Sequence, residues 1–189
     1  MRDENLYKLF LDKDMQYSCA YFHNINMSLD QAQKDKKEHI INKLQINENM
    51  NVLDIGCGDG ELLRNLEKKN KCNCYGIDFS QNLIKIARKK SKNINYYCID
   101  MNKIKDEFKV KIKFDYIITK RSIQNLTSWK DQKKFINQLK FFSNPKTKIL
   151  LMESSNNGLR KINDMRNKLK LKKIIKPWHN LYFEDSKLK

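Results

Sequence analysis

Short apolar blocks alternate with amphipathic stretches along most of the chain, from about residue 28 onward. Each block is only a few residues long, is apolar at consecutive positions and contains isoleucine, valine or tyrosine, which is typical of a buried strand. This pattern predicts five strands, at about residues 50–55, 72–78, 94–100, 114–119 and 147–153.

The stretches between the strands have the spacing of helices that bury one face. Ser28 with Gln31, and Ser128 with Asp131, have the spacing of an N-terminal capping box. They predict helices over 28–44 and from residue 128 on, the second carrying apolar residues up to Leu139. Two further helices are predicted at 60–69 and 80–90, and a less regular stretch runs to about residue 113.

Strands that alternate with helices favour a parallel sheet with right-handed crossovers. The predicted fold class is therefore α/β, a doubly wound, mostly parallel, Rossmann-like sheet with strand order 3-2-1-4-5. The length of 189 residues fits a single domain. Within it we expect an N-terminal helical cap at 1–27, a core at 28–153 and an incomplete C-terminal region at 154–189.

The turn after the first strand reads NVLDIGCGDGELL over residues 51–63. Gly56, Gly58 and Gly60 allow a sharp turn and a close approach of a ligand to backbone amides. Ligands of doubly wound sheets bind beyond the carboxyl ends of the strands. The turn therefore predicts a site for a nucleotide-like cofactor.

The dinucleotide fingerprint G-x-G-x-x-G does not fit this turn, because its sixth position is Glu61. Asp54 and Asp59 would also repel a pyrophosphate. These two carboxylates favour a cationic ligand instead and argue against a nicotinamide-dependent oxidoreductase.

Three of the other four predicted strands also end in a carboxylate: the second at Asp78, the third at Asp100 and the fifth at Glu153. Asp78 lies close to the offset at which an acidic residue meets ribose hydroxyls. The alternative for each is an ordinary helix cap after a strand. Their recurrence at successive strand ends favours a locally acidic cleft.

Residues 28–153 resemble the class I S-adenosylmethionine-dependent methyltransferases, with VLDIGCGDG similar to their first motif. The resemblance implies S-adenosylmethionine as cofactor. Asp54 and the glycine turn, with Gly56 and Gly58, would hold its methionine part, and Asp78 its ribose.

The same resemblance places Asp100 and Met101 beside the adenine, as CIDM is similar to that loop of the family. Phe79, next to Asp78, is expected to contact the cofactor too. Arg121 follows the fourth strand between Lys120 and Ser122, where it could pair with a carboxylate of cofactor or substrate, or be a loop charge.

The segment LYKLFLDKDMQYSCAYF, residues 6–22, is similar to the N-terminal segment of cyclopropane fatty acid synthases. By this resemblance Tyr17 and Ser18 close over the cofactor. The chain departs from that family at Asp59, where tryptophan is usual, and at Asp78, where an uncharged residue is common. The alternative is that the aromatic residues of this segment only pack a helix.

His179, in KPWHNLYF, is the candidate general base, since histidine titrates near neutrality. Its neighbours Trp178, Tyr182 and Phe183 could line an acceptor pocket or form a core patch around a satisfied histidine. A base is optional, because holding the acceptor in line with the methyl group supplies much of the acceleration. The residues after 153 look helical or basic, so the sixth and seventh strands usual in this fold family are expected to be missing or incomplete.

The formal net charge of +17 could attract nucleic acid or an anionic surface. Arginine, which binds phosphate better, is scarce, so a compositional bias spread over solvated faces is the favoured explanation of the charge. Cys57, Cys72, Cys74 and Cys98 lie in apolar stretches and are expected as buried free thiols, and one C-x-C without partners predicts no metal site.

No signal peptide or membrane span is recognised in the sequence, which favours a cytoplasmic location. Together these features predict a methyltransferase that acts on a small-molecule or lipid-like acceptor. An RNA methyltransferase and a non-catalytic cofactor-binding module are the alternatives. The oligomeric state is left open.

Overall fold

The computed structural model of the chain describes residues 21–187. Its contacts divide the chain into two compact units, Met1–Asn47 and Glu48–Lys189. The sequence-based division at residues 28 and 154 does not coincide with this boundary and stays a prediction.

The described part of the first unit contains one helix, α1 (Leu29–Leu44). Ser28 begins it as predicted, since its hydroxyl accepts a hydrogen bond from the backbone N–H of Gln31 at 3.2 Å. The backbone N–H of Tyr21 donates to the carbonyl of Ala32, which ties the preceding turn to the helix.

The second unit is built on a sheet of five strands in which each pair of neighbours is parallel. The strand order is β3-β2-β1-β4-β5, which confirms the predicted 3-2-1-4-5 topology. The strands are β1 (Asn51–Ile55), β2 (Asn73–Asp78), β3 (Asn95–Cys98), β4 (Tyr116–Lys120) and β5 (Lys148–Met152).

Helices alternate with the strands along the chain, as the sequence predicts. Ser80, Ser128 and Ser155 begin three of them by accepting hydrogen bonds from backbone N–H groups. The helices are α2 (Glu61–Asn70), α3 (Gln81–Lys90), the short α4 (Ile104–Glu107), α5 (Trp129–Gln138) and α6 (Asn156–Lys168).

The core surrounds the two central strands, β1 and β4. Leu53, Ile55 and Ile117 are fully buried, and Phe114 and Phe135 pack into the same cluster. β5 lies at an edge of the sheet, and its Ile149 is exposed. The strand ends of β1 and β4 are therefore held rigidly by the best-packed part of the protein.

Through residue 187, the described chain adds no sixth strand to the sheet after β5. This stretch holds α6, an isolated bridge between Ser155 and Phe183, and a short 3₁₀ turn at Asp185–Lys187. The expected absence of later strands agrees with this topology. Every helix within residues 21–187 is too short or too polar to cross a bilayer.

The cysteines follow the prediction only in part. Cys57, Cys72 and Cys74 are buried free thiols as expected, but Cys98 is exposed. The prediction was wrong for Cys98 because β3 is an edge strand, so an apolar sequence there does not imply burial on both faces. No group of metal-binding side chains occurs in the part of the chain that the structure describes.

Candidate cofactor site

The glycine turn follows β1 directly and is tied to the end of β2. The backbone N–H groups of Gly56 and Cys57 both donate to the carbonyl of Ile77, at 2.7 and 3.0 Å. Gly56 has a φ of 81°, and a Cβ there would lie 2.4 Å from the Cβ of Ser122. Glycine is thus required at 56 by the close approach of the loop after β4.

Gly58 has a different environment. Its φ is 58°, yet a Cβ added there would meet no atom of the described chain within 4 Å. Its backbone N–H donates to Oδ2 of Asp78 at 2.9 Å. Open space therefore lies beside Gly58, on a backbone conformation that favours glycine.

Asp78 ends β2 and connects two loops. While Oδ2 accepts from Gly58, Oδ1 accepts from the backbone N–H of Ser80 at 2.8 Å. The side chain is buried. Each oxygen keeps a second lone pair for a ligand, because a carboxylate oxygen accepts more than one hydrogen bond.

Asp54 lies within β1, behind the glycine turn. It is buried, and within the described residues its Oδ1 has no hydrogen-bond partner. Burial raises its pKa from 3.8 to about 7, with Asp78 adding to the rise and Lys120 opposing it. Asp54 does not line the cavity described below, and its contact with a cofactor stays a prediction.

Asp59 is neutralised within the turn rather than aimed at a ligand. Its Oδ2 lies 2.6 Å from Nζ of Lys90 and 3.5 Å from a guanidinium nitrogen of Arg64. Burial works against ionisation, but the hydrogen bond and charge of Lys90, with Arg64, hold the pKa of Asp59 below its usual value. The repulsion that the sequence predicts from Asp59 is therefore largely cancelled.

A cavity of about 300 Å³ opens at the carboxyl ends of the strands. Its volume is at the lower end of the range for small-molecule sites. Four strand ends of the second unit contribute to it, through Ile55, Gly56, Ile77, Asp78, Phe79, Ile99, Asp100, Met101, Asn102, Lys120, Arg121, Ser122, Asn125 and Leu126.

The charged residues of the cavity are of both signs. Asp78 and Asp100 provide carboxylates, and Lys120 and Arg121 provide cations. The cleft is therefore not acidic in sum, contrary to the sequence-based expectation. The reason is that Lys120, the last residue of β4, and Arg121, directly after it, bring two positive charges to the cavity.

Asp100 is exposed and has a local role as well. Its Oδ1 accepts from the backbone N–H of Asn102 at 2.9 Å and begins a 3₁₀ turn over Met101–Lys103. The helix-cap alternative is thus correct for Asp100, but its position also places it in the cavity wall with Met101.

Glu153, the carboxylate after β5, holds the loop after β4. Its Oε1 accepts from the backbone N–H groups of Ser122 and Ile123 at 3.1 and 3.2 Å, and Oε2 from Gln124 at 3.3 Å. Burial raises the pKa of Glu153, and these hydrogen bonds oppose the rise. Glu153 supports the cavity wall without lining it.

This geometry agrees with the comparison to known proteins. The family model for mycolic acid cyclopropane synthetase matches residues 2–177 of the chain. The chain belongs to the mycolic acid cyclopropane synthetase family. The family resemblance inferred from the glycine turn and from the N-terminal segment is thereby confirmed.

One relative in this family is a Pseudomonas putida protein named "Probable fatty acid methyltransferase", 43% identical over 86 residues, which are 46% of this chain and 22% of the relative. Among solved structures, the cyclopropane synthase MmaA2 from Mycobacterium tuberculosis superposes with a TM-score of 0.68 at 20% identity, covering 94% of this chain and 60% of that one. The matched region thus covers less than two thirds of each of these proteins, 22% of the first and 60% of the second.

A second solved structure is the mycolic acid cyclopropane synthase CmaA1, in a complex with SAH and CTAB. It superposes with a TM-score of 0.61 at 23% identity over 76% of this chain and 50% of the other. At these identities the two structures establish the shared fold of the cyclopropane synthetase family.

The remaining predicted site residues do not all meet at the cavity. Tyr17 and Ser18 lie outside the described residues. His179 is exposed and does not line the cavity. Its ring lies edge-on to the ring of Trp178, with the two ring centroids 5.5 Å apart. Phe183 is buried in the core, in contact with Trp129. His179 therefore lies apart from this cavity, and its role as a general base stays a prediction.

Several lining residues were not predicted. Asn102 follows Asp100 closely, Asn125 ends the 3₁₀ turn after β4, and Leu126 follows that turn directly. The sequence held one usable signal, since loops that follow parallel strands line such sites. Apolar periodicity could not find these residues, because a single 3₁₀ turn has too few positions to form a pattern.

Proposed function

We propose that this chain binds S-adenosylmethionine in the cavity at the carboxyl ends of β1–β4 and transfers its methyl group to a lipid-like acceptor. The observation that carries the proposal is the connection of the glycine turn to Asp78 at the mouth of a cavity of about 300 Å³. The family relationship supports it, since the matched relatives are named as methyltransferases or cyclopropane synthases.

The lining residues fit the chemical groups of this cofactor. Asp78 would accept hydrogen bonds from the ribose hydroxyls, and Asp100 with Met101 would lie beside the adenine. Lys120 and Arg121 offer positive charge for the methionine carboxylate. A cavity with charges of both signs suits a ligand that itself carries a carboxylate, an ammonium and a sulfonium.

Open space and an exposed aromatic ring support the same assignment. The space beside Gly58 leaves room for a close approach of a ligand to the backbone. Phe79 is 76% exposed although it lines the cavity, so a bound ligand would remove an apolar ring from water. Gly56 and Gly58 would thus shape the turn, and Phe79 would cover the ligand.

When bound, the cofactor supplies an electrophilic methyl group on a positively charged sulfur. The protein's own contribution is to position the ligand and to exclude water. Ile55, Ile77, Ile99 and Leu126 contribute to the apolar part of the wall. Holding the reacting groups in line then lowers the barrier without a dedicated base.

The acceptor class and the cytoplasmic location are parts of this proposal. A lipid-like acceptor is supported by the relative named as a fatty acid methyltransferase. An RNA methyltransferase is the alternative that the net charge of +17 suggests. A non-catalytic cofactor-binding module is the second alternative.

Calorimetric titration with S-adenosylmethionine, followed by transfer of a labelled methyl group to dispersed unsaturated phospholipid or to RNA, separates these alternatives. We expect binding and label in the lipid fraction. Binding without label in either acceptor would indicate the non-catalytic module, and label in RNA alone the RNA enzyme. Absence of binding would overturn the proposal as a whole.

A further inference from the structure

The helix that follows β5 differs from the other long helices of the second unit. α2, α3 and α5 each bury two or three residues, whereas α6, which lies entirely within the described chain, buries none. α6 is therefore held to the sheet unit by few apolar contacts and presents most of its surface to solvent.

Residues 169–178 lie along this helix and form one surface with it. The side chain of Asn163 pairs with the backbone of Ile174 in both directions, at 3.0 and 2.8 Å. The guanidinium of Arg166 donates to the carbonyl of Lys172 at 2.7 Å. We call α6 together with residues 169–178 the α6 surface.

Large apolar side chains are exposed along the α6 surface. Ile162, Met165 and Leu169 recur at helical spacing, and Met165 and Leu169 are 64% and 67% exposed. Ile175 and Trp178 are 87% and 94% exposed. An apolar patch of this kind on a protein surface marks a place of interaction.

Basic residues are interleaved with these apolar side chains. Residues 156–178 contain one acidic residue, Asp164, against eight basic ones: Arg160, Lys161, Arg166, Lys168, Lys170, Lys172, Lys173 and Lys176. Arg160 lies 3.9 Å from Glu184, which leaves the lysines as the main source of positive charge.

We propose that the α6 surface docks on an anionic lipid bilayer, with its apolar side chains at the boundary between headgroups and acyl chains and its lysines among the headgroups. Exposed aliphatic residues with a basic flank have this property, and tryptophan prefers the membrane interface. The inference goes beyond the proposed function and does not rest on it.

Charge and composition select a bilayer over other partners. Lysine is depleted in protein–protein interfaces, whereas the α6 surface has six lysines. Nucleic acid would match the charge, but its phosphate backbone gives exposed isoleucine, leucine and methionine no apolar phase to enter. Only an anionic bilayer meets both the charge and the apolar side chains.

The full chain offers its own reporter for a test, since Trp129 and Trp178 are its two tryptophans. A Trp129→Phe variant leaves Trp178 as the single tryptophan, whose emission is excited selectively at wavelengths that tyrosine does not absorb. We expect it to sediment with phosphatidylglycerol vesicles, to bind phosphatidylcholine vesicles much more weakly, and to show a blue shift of Trp178 emission on binding. Binding with unchanged emission would overturn the proposed insertion of this surface.

Two matched variants separate the α6 surface from diffuse charge. Lys172→Gln/Lys173→Gln and Lys109→Gln/Lys111→Gln remove equal charge from exposed positions. Only the first should weaken vesicle binding, on the order of fivefold per lysine. Equal losses in both would refute the proposal.

Removal of apolar surface gives a second, independent measurement. Met165→Ser/Leu169→Ser should lower vesicle affinity while circular dichroism and cofactor binding stay unchanged, because both side chains are exposed. Failure to bind either vesicle contradicts the proposal and leaves the proposed methyl transfer untouched. Retention on RNA, or concentration-dependent dimers lost in this variant, without vesicle binding would assign the surface to those partners instead.

Discussion

The carboxylate of Asp78 accepts a hydrogen bond from the backbone N–H of Gly58 at 2.9 Å and so ties the end of β2 to the glycine turn after β1. Its second oxygen accepts from Ser80 at the beginning of α3. One buried side chain therefore fixes two loops of the cavity and also lines the cavity. Its removal should affect both structure and binding.

Asp78→Ala should weaken S-adenosylmethionine binding by roughly 1.5 kcal/mol or more, since a hydrogen bond to a charged group is worth about that much. It should also lower the free energy of unfolding, because the N–H groups of Gly58 and Ser80 lose their acceptor. Calorimetric titration and urea unfolding measure the two effects.

Asp164→Ala is the control for this variant, because Asp164 is an exposed acidic residue outside the cavity lining. Asp164→Ala should change neither the affinity for S-adenosylmethionine nor the free energy of unfolding. Unchanged cofactor affinity in Asp78→Ala would remove Asp78 from the ribose site, whatever the loss in stability.

Gly56→Ala and Gly58→Ala should differ in their effects on folding and on cofactor binding. At Gly56 the new methyl group meets the Cβ of Ser122 at 2.4 Å, so folding should be strongly impaired. At Gly58 only the positive φ is penalised, by about 1 kcal/mol, because no described atom lies within 4 Å.

Gly58→Ala should therefore fold and yet bind the cofactor at least tenfold more weakly, if the ligand uses the open space beside it. Thermal unfolding and calorimetry of the two variants check this contrast. Full binding by Gly58→Ala would place the ligand elsewhere in the cavity.

Glu153→Gln should loosen the loop after β4. Glu153 accepts hydrogen bonds from three consecutive backbone N–H groups, Ser122 to Gln124. The glutamine side chain has one acceptor oxygen instead of two, so at least one of these hydrogen bonds should be lost. The free energy of unfolding should therefore fall by about 1–3 kcal/mol. Hydrogen exchange at these three amides should accelerate, while the amides of α2 should keep their protection.

The alternation of apolar blocks was sufficient to predict the sheet, because each parallel strand is buried on both faces and each crossover helix has an amphipathic period. This alternation was insufficient to predict which side chains are exposed at the edge of the sheet. Cys98 and Cys74 both lie in strand-like stretches of the sequence, and the position of β3 at the edge decides the exposure of Cys98.

The site could be predicted where a residue ends a strand. Asp78, Asp100 and Arg121 line the cavity because the carboxyl ends of parallel strands share one edge. Asp54 and His179 do not line it. Asp54 lies one step earlier on β1, where its side chain is buried, and His179 belongs to a segment whose tertiary position no local pattern encodes.

Asp54 should make the protein less stable as pH rises from about 4 to 7. Its pKa is 3.8 in the unfolded chain and about 7 in the folded protein, because burial disfavours the charged form. Below pH 3.8 both states are protonated and the full stability is present. Between the two values the unfolded chain releases the proton while the folded state retains it, so ionisation favours unfolding.

The accumulated loss reaches roughly 4 kcal/mol near pH 7 and then stays constant, since each pKa unit corresponds to about 1.36 kcal/mol. Asp54→Asn has a similar shape to the protonated acid and cannot ionise, so it should be less sensitive to pH. Glu153 contributes in the same direction in both proteins and cancels in the comparison. Urea unfolding of both proteins between pH 4 and 8 should give curves that diverge with rising pH, in favour of the variant. Parallel curves would show that Asp54 ionises as readily in the folded protein as in the unfolded chain.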